Sequence, residues 1–325
     1  MTQTFATRLI PADQTAIETA AKILRSGGLV AFPTETVYGL GANAADGRAV
    51  AKLYAAKGRP SFNPLIAHVT DIEAAKQQAR FNATAEKLAR AFWPGPLTLV
   101  LPKADGCTVA DLATAGLDTI AIRVPNHPVA RELLALFNGP IVAPSANRSG
   151  HVSPTTAQHV MEDLQGRIDC ILDGGQTRVG VESTIVACLG DHPELLRTGG
   201  VARTDVERII GAPLAEPLSA VDIAAPLAPG MLASHYAPNA SLRLDAVSIA
   251  DGEALLAFGP SPLAGATITL NLSARGDLTE AAANLFSYLR MLDGKAAKIA
   301  VMPIPNEGLG EAINDRLARA AAPKN

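Results

Sequence analysis

Residues 27–69, GGLVAFPTETVYGLGANAADGRAVAKLYAAKGRPSFNPLIAHV, constrain the fold of this chain more than any other stretch. Two short apolar runs, Leu29 to Phe32 and Leu65 to Val69, have the character of buried strands and flank one helical segment. After the first run comes a turn-rich loop dense in hydroxyls. Asp46 can then cap a helix in which Val50, Leu53, Tyr54 and Lys57 recur at helical spacing. Lys57 falls in its last turn, where its charge complements the helix dipole, and Arg59 follows beside a glycine and a proline. Two cations therefore lie near a Pro/Thr/Gly loop held between regular elements, the arrangement in which loops carry ligand-binding groups.

The same alternation runs on through the chain. Asp13 can cap a helix reaching about Ser26, with Ile17, Ala20, Ala21 and Leu24 on one face and Gly27 as its stop. Further helices are expected near Ile72 to Ala79, Thr84 to Phe92, Pro128 to Phe137 and Thr156 to Leu164, and a short one ends at Gly211. Strands are expected in WPGPLTLVL (93–101) and over Thr119 to Val124, Ile141 to Ala143, Ile168 to Leu172, Thr184 to Ala187 and Glu194 to Arg197. Some strands follow one another directly, so the predicted class is α/β with a twisted mixed sheet and flanking helices.

At 325 residues the length favours two domains. From Ala212 to Asn239 the pattern breaks: Pro213, Pro217, Pro226, Pro229 and Pro238 fall among alanines with no lasting period, which marks a linker. From Ser241 a second, smaller α/β rhythm begins, Rossmann-like in its alternation. Its strands are expected near Leu242 to Leu244, Leu255 to Phe258, Thr267 to Leu270 and Lys298 to Pro303, its helices over Thr279 to Leu292 and Gly310 to Ala320. The expected division is thus 1–211, a linker 212–239 and a small domain 240–325.

Hydrophobic residues make up 48% and charged residues 18% of the chain, which suits packed domains and not a disordered polymer. The net charge of -3 supplies no bulk attraction to nucleic acid, so such contact would need a local patch. Cys107, Cys170 and Cys188 lie far apart without CxxC spacing, indicating neither a zinc knuckle nor a disulfide framework. The N-terminal stretch has no signal-peptide pattern and no uncharged run reaches about 18 apolar residues, so a cytoplasmic protein without a membrane span is expected.

GLGANA (39–44) matches a dinucleotide fingerprint on paper, but no acidic residue near position 60 is placed to hold a ribose, and GLGEAI (308–313) has no following βαβ unit. The Arg59 fork can bind phosphate or carboxylate oxygens in two parallel bonds, with Lys57 as a point charge beside it and Asn63 nearby. Ser145 and Asn147, two apart in an extended segment, project to one side, where they can bind neighbouring ligand oxygens. Ser183 and Thr184 follow a glycine-rich loop that can form an anion nest. His68 sits in an otherwise apolar strand, a position more often structural than catalytic. No HExxH and no acidic cluster at metal-binding spacing occurs, so no metal site is expected.

FPTETVYGLG, KGRPSFNPL, WPGPLT, TIAIRVP, PSAN and GVESTI occur in this order. Together they resemble the motifs of the YrdC-type threonylcarbamoyl-AMP synthases, and the PGM…HYAP segment with its small α/β domain is similar to the long, two-domain members of that family. The resemblance covers essentially the whole chain and implies a YrdC-like fold with a concave basic pocket. The implied reaction is a nucleotidyl transfer in which L-threonine, bicarbonate and ATP give threonylcarbamoyl-adenylate and pyrophosphate. Downstream machinery would pass the threonylcarbamoyl group to adenosine 37 of tRNA.

Carried over on matching motifs, the family's lysine-x-arginine and serine-x-asparagine signature falls on Lys57, Arg59, Ser145 and Asn147. The resemblance implies ATP contacts at Lys57, Arg59, Asn63, Thr119, Ser145, Ser153, Arg197 and Tyr236. It implies a threonine site at Thr34, His68, Arg123, the backbone of Ala143, and Ser183. ATP would be a substrate accompanied by Mg²⁺, with no tightly bound organic cofactor, and tRNA contact would be weak. The alternatives are a non-catalytic module binding double-stranded RNA or tRNA, and a carbamoyl-adenylate enzyme using carbamoyl phosphate. Enzymes of the latter kind carry additional domains with zinc-binding cysteine motifs that this chain lacks.

Overall fold

The computed structural model describes residues 6–60, 62–215 and 236–322. The chain begins with β1 (Arg8–Pro11), α1 (Gln14–Arg25), β2 (Val30–Pro33), β3 (Tyr38–Asn43), α2 (Gly47–Lys57) and β4 (Ile66–His68). There follow α3 (Ile72–Gln78), α4 (Ala83–Phe92), β5 (Leu97–Pro102), β6 (Thr119–Arg123), α5 (Pro128–Phe137) and β7 (Ile141–Val142). Next come α6 (Ala157–Leu164), β8 (Cys170–Asp173), β9 (Thr184–Ala187), β10 (Glu194–Arg197) and α7 (Arg203–Ile210). Helices start where the sequence supplies an acceptor: Asp13, Asp46, Asp71, Asn82 and Thr156 each accept a first-turn N–H that has no partner within its helix. Gly58 ends α2 in the left-handed region, φ 60° and ψ 35°, and so turns Arg59 off the helix axis.

The first ten strands form one mixed sheet in the order β1-β8-β2-β3-β7-β4-β6-β5-β9-β10. β4 and β6 run parallel, with His68 opposite Arg123, while β7 lies antiparallel on the other side of β4 with Ile141 opposite His68. Two strands depart from the sequence expectation. GLGANA lies within the β3 region, paired antiparallel to β2 with Val30 opposite Gly41, because a backbone stripped of side chains can lie close under its neighbours. A Cβ on Gly41 would come 2.8 Å from the Phe32 ring. β1 is largely exposed, and so has no alternating pattern for sequence reasoning to detect.

A second, parallel-sheet domain follows: β11 (Ser241–Arg243), β12 (Ala254–Ala257), β13 (Thr269–Asn271), α8 (Leu278–Asp293), β14 (Lys298–Val301) and α9 (Leu309–Ala321). Its strand order is β11-β14-β12-β13, parallel throughout. GLGEAI is the start of α9. Of the Pro-rich segment, residues 216–235, including the PGM motif and His235, lie outside the described residues. Among the described residues no helix is long and apolar enough to cross a membrane.

The two sheets share an apolar seam in which Val37, Val152 and Val181 cluster with Tyr236, Leu285 and Phe286. Polar contacts flank it: Arg290 to Asp163 at 3.1 Å, Arg203 to Glu311 at 3.3 Å, and the Thr155 and Ser287 hydroxyls at 2.9 Å. Gly180 permits the close approach. It sits at φ 77°, and a Cβ there would run into the backbone of Ala282 and Ala283 in α8. Gly180→Ala should therefore lower stability by about 2 kcal/mol, from backbone strain and overpacking together. Urea unfolding followed by Trp93 fluorescence measures this, and an unchanged midpoint would contradict the contact.

Candidate active site

The ends of β4, β6 and β7 form the floor of a cavity. Because His68 and Arg123 are register partners, their side chains leave the same face of the sheet side by side. The chain beyond β7 passes through Ala143 and Pro144 to Ser145, which bridges back to Gly39. Arg59, Ser183, Arg197 and Tyr236 close the walls of the cavity.

Three guanidinium groups line this cavity, from Arg59, Arg123 and Arg197. Arg59 donates through Nη2 to the carbonyls of Asn63 at 3.4 Å and Pro64 at 3.2 Å, while its buried Nε has no protein partner. Burial, together with the charge of Arg197, brings its pKa down to about 10. Arg197 donates to the Ser183 carbonyl from Nε at 3.1 Å and Nη2 at 2.9 Å, and from Nη2 to the Ser183 hydroxyl at 3.1 Å. Arg123 donates to the Gly95 carbonyl at 3.2 Å and to Thr36 Oγ1 at 3.0 Å. Its Nη2 lies 2.6 Å from Glu35 Oε1, in ionic contact but at an angle that leaves both atoms without a formed hydrogen bond. Gathering cations away from water is unfavourable unless an anion compensates them, so the cavity is built for an anionic ligand.

His68 is buried, its Nδ1 3.2 Å from the Ile66 carbonyl. Burial, and then the charge of Arg123, lowers its pKa to about 3, so the ring is neutral in the working range. Ser183 is held by the Thr98 hydroxyl at 2.7 Å. Tyr236 stacks on Phe286 of α8 with ring centroids 5.5 Å apart.

Several residues singled out from sequence support the cavity from behind. Lys57 is buried, and its ammonium donates to the carbonyls of Ser145 and Asn147, both at 2.5 Å. Burial and the Arg59 charge depress its pKa well below the ordinary lysine range. It is thus a clamp on the 145–147 loop instead of a mobile charge at a helix end. Asn147 does not share a side with Ser145, because the chain bends after Ser145 and breaks the period-two alternation. Its amide donates to the carbonyls of Arg148 and His151, both at 2.8 Å, and its Oδ1 is buried without a protein partner. Thr34 Oγ1 donates to the Val37 carbonyl at 2.7 Å and accepts the N–H groups of Thr36 and Val37, tying the β2–β3 turn. Asn63 accepts the Tyr54 hydroxyl on its carbonyl at 3.0 Å. Thr119 opens β6 on the face that carries Arg123, roughly 13 Å away by strand rise. Ser153 is buried, with its hydroxyl donating to Glu182 Oε1 at 2.5 Å.

Three residues near the cavity were not legible as functional. Thr36, not Thr34, presents its hydroxyl to the cavity, Glu35 backs Arg123, and Glu182 faces the ligand space. A dense hydroxyl loop marks the first two only as a group. Glu182, next to Ser183, carried no signal of its own. Glu182 Oε2 accepts from Arg316 of α9 at 2.8 Å. Burial alone would raise its pKa, but the charges of Arg316 and Arg197 outweigh that and hold it at about 2.

Known proteins share this architecture. Residues 22–199 match the Sua5/YciO/YrdC family model, described as telomere recombination, and residues 201–322 match the threonylcarbamoyl-AMP synthase C-terminal domain. The threonylcarbamoyl-AMP synthase of Pyrococcus abyssi is 43% identical over 326 residues, 94% of each chain. That of Bacillus subtilis is 43% identical over 322 residues, 94% of this chain and 92% of the relative. The crystal structure of P. abyssi Sua5 complexed with L-threonine superposes with a TM-score of 0.88 at 40% identity, covering 98% of this chain and 97% of that one. Matched in both domains and over nearly its whole length, the chain belongs to the threonylcarbamoyl-AMP synthase family.

Proposed function

We propose that this chain joins L-threonine, bicarbonate and ATP into threonylcarbamoyl-adenylate and pyrophosphate, as a nucleotidyltransferase. The observation that carries the reading is the set of three guanidinium groups around one cavity, with the buried Nε of Arg59 lacking a protein partner. A polyphosphate and an amino-acid carboxylate are together the kind of anionic load that such a wall accommodates. The relative bound to L-threonine supports the amino-acid half.

In this reading Arg123 and Thr36 take the threonine carboxylate, while His68, as a neutral ring, the Ser183 hydroxyl and the Ala143 backbone hold its remaining polar groups. Arg59, Arg197 and Ser145 take the nucleotide, and Ser153 acts from behind them through its bond to Glu182. Lys57 and Asn147 act on the nucleotide by fixing the loop that carries Ser145, Thr34 acts by fixing the turn that carries Thr36, and Asn63 and Thr119 bound the outer region of the nucleotide site. Tyr236 walls off the side facing the second domain, which keeps water from a labile mixed anhydride. The division into a catalytic domain over residues 1–211, a linker 212–239 and a second domain from 240 is supported by the two separate sheets.

The chemistry begins when the free-base amine of threonine attacks carbon dioxide derived from bicarbonate. An N–C bond forms, the nitrogen loses a proton to the hydroxide released when bicarbonate gives carbon dioxide, and an N-carboxylate and water result. One of its oxygens then attacks the α-phosphorus of ATP, the bond to the bridging oxygen breaks, and pyrophosphate leaves. Arg59 and Arg197 stabilise the charge that builds on the phosphoryl oxygens. Mg²⁺ arriving on the ATP phosphates would offset some of their charge. The product would feed tRNA threonylcarbamoyl-transfer machinery acting at adenosine 37, in the cytoplasm, with tRNA touching this chain weakly.

Pyrophosphate release should require ATP, threonine and bicarbonate together, and release indifferent to threonine would refute the reading. Arg59→Ala should lower kcat/KM at least ~100-fold, or roughly 3 kcal/mol of transition-state stabilisation, with near-normal thermal stability. Turnover close to that of the parent enzyme would remove Arg59 from the site. Acid should also weaken the fold through His68. The unfolded chain gains a proton near pH 6.5, whereas the folded ring resists until about pH 3. Stability therefore falls as pH drops through that window, by up to ~1.4 kcal/mol per pH unit for this one group. His68→Gln should flatten the urea-unfolding profile between those limits, and an unaltered slope would contradict the buried neutral ring.

A further inference from the structure

A carboxylate in the wall of a polyphosphate site needs an explanation. Glu182 is the acidic side chain that faces the cavity among the described residues, and left alone it would repel the ligand proposed for that space. Arg197 offsets part of its charge, and the hydrogen-bonded counter-charge comes from the second domain. Arg316 of α9 is fully buried and uses every nitrogen of its guanidinium group. Nε donates to Glu182 Oε2 at 2.8 Å, Nη1 to Asp315 Oδ2 at 2.5 Å, and Nη2 to the Thr198 carbonyl at 2.9 Å. Its flat face lies over the Tyr236 ring, 5.2 Å from the centroid, an arrangement that desolvation strengthens.

The segments it touches reach the cavity wall, Arg197 and Tyr236 among them. Glu182 precedes Ser183 and anchors Ser153; Thr198 follows Arg197; Tyr236 itself belongs to the wall. We propose that Arg316 is a positioning residue for nucleotide binding: it neutralises Glu182 and holds Arg197 and Tyr236 in their cavity-facing arrangement. The second domain thereby helps to build the ATP site through one side chain. This inference rests on the proposed placement of ATP.

Arg316 could instead merely fasten the domains together, but that task has other bonds. Arg290 with Asp163, Arg203 with Glu311 and Thr155 with Ser287 all cross the same seam without touching the cavity wall. The two roles differ in what they do to each substrate. A lost positioning charge harms ATP binding selectively and is repaired by removing the charge it opposed. A loosened interface affects both substrates and has no such repair.

The test is threonine-dependent pyrophosphate release by the full chain, with KM determined separately for ATP and threonine. Arg316→Met should raise the KM for ATP at least ~10-fold while leaving that for threonine within about twofold, and adding Glu182→Gln should bring the ATP value back to within about threefold of the parent. Equal changes in both KM values, or no recovery in the double variant, would overturn the proposal. If Arg316→Met does not fold, Arg316→Lys carries the test. It keeps the charge but loses the fork, so the KM for ATP should rise about threefold with threonine unaffected, and no rise would overturn it. The parent enzyme separates the two claims. Pyrophosphate release that ignores threonine in the parent overturns the reading of the cavity and this inference with it, whereas a normal parent with an indifferent Arg316 variant removes only the role of Arg316.

Discussion

Three guanidinium groups converge on one cavity, and the surrounding structure is arranged to make that gathering tolerable. Like charges in a partly buried site repel one another, and the depressed pKa of Arg59 records both its burial and the nearby Arg197. A rigid frame is needed to hold them against that repulsion. The sheet supplies it: β4 and β6 fix His68 and Arg123 in register, and β10 ends on Arg197, which is bonded twice to the Ser183 carbonyl. A ligand carrying phosphates and a carboxylate would add compensating negative charge to this preorganised positive potential.

Behind this first layer lies a second one of opposite sign. Glu35 stands against Arg123 at 2.6 Å and Glu182 lies between Ser153 and Arg316. These carboxylates limit the repulsion without filling the cavity, because their acceptor atoms point at cations and hydroxyls. The Lys57 clamp on the 145–147 loop works in the same manner, putting a buried cation onto two carbonyls that would otherwise lack donors. The energetic cost of burying these groups falls on the apolar cores, including the seam where Val37, Val152 and Val181 meet Leu285 and Phe286.

Local chemistry was legible in the sequence and long-range partnership was not. The Asp13 and Asp46 caps, the glycine stop after Lys57 and the apolar strands around α2 follow from neighbours in the chain, and the structure reproduces them within a residue or two. The mixed sheet followed from strands that succeed one another without helices. The ordered motifs marked Arg59, His68, Arg123, Ala143, Ser145, Ser183, Arg197 and Tyr236, which the fold brings to one cavity. What stayed hidden depends on contacts across the fold. Lys57 became a clamp because a loop about ninety residues away needs it, and Glu182 acquired meaning from an arginine 134 residues further on. Thr34 ties the turn while Thr36 lines the cavity, a difference set by turn geometry and not by composition. β3 was obscured by glycines whose value lies in close strand approach.

In the proposed arrangement one cavity holds both substrates, with the amino acid at the Arg123 end and the nucleotide at the Arg59 and Arg197 end. A crystal structure of the full chain with L-threonine and a non-hydrolysable ATP analogue tests this most directly. The threonine carboxylate should lie on Arg123 and the phosphates on Arg59 and Arg197, with the α-phosphate facing the threonine amine. A nucleotide bound outside this cavity, or phosphates turned away from all three guanidinium groups, would contradict it.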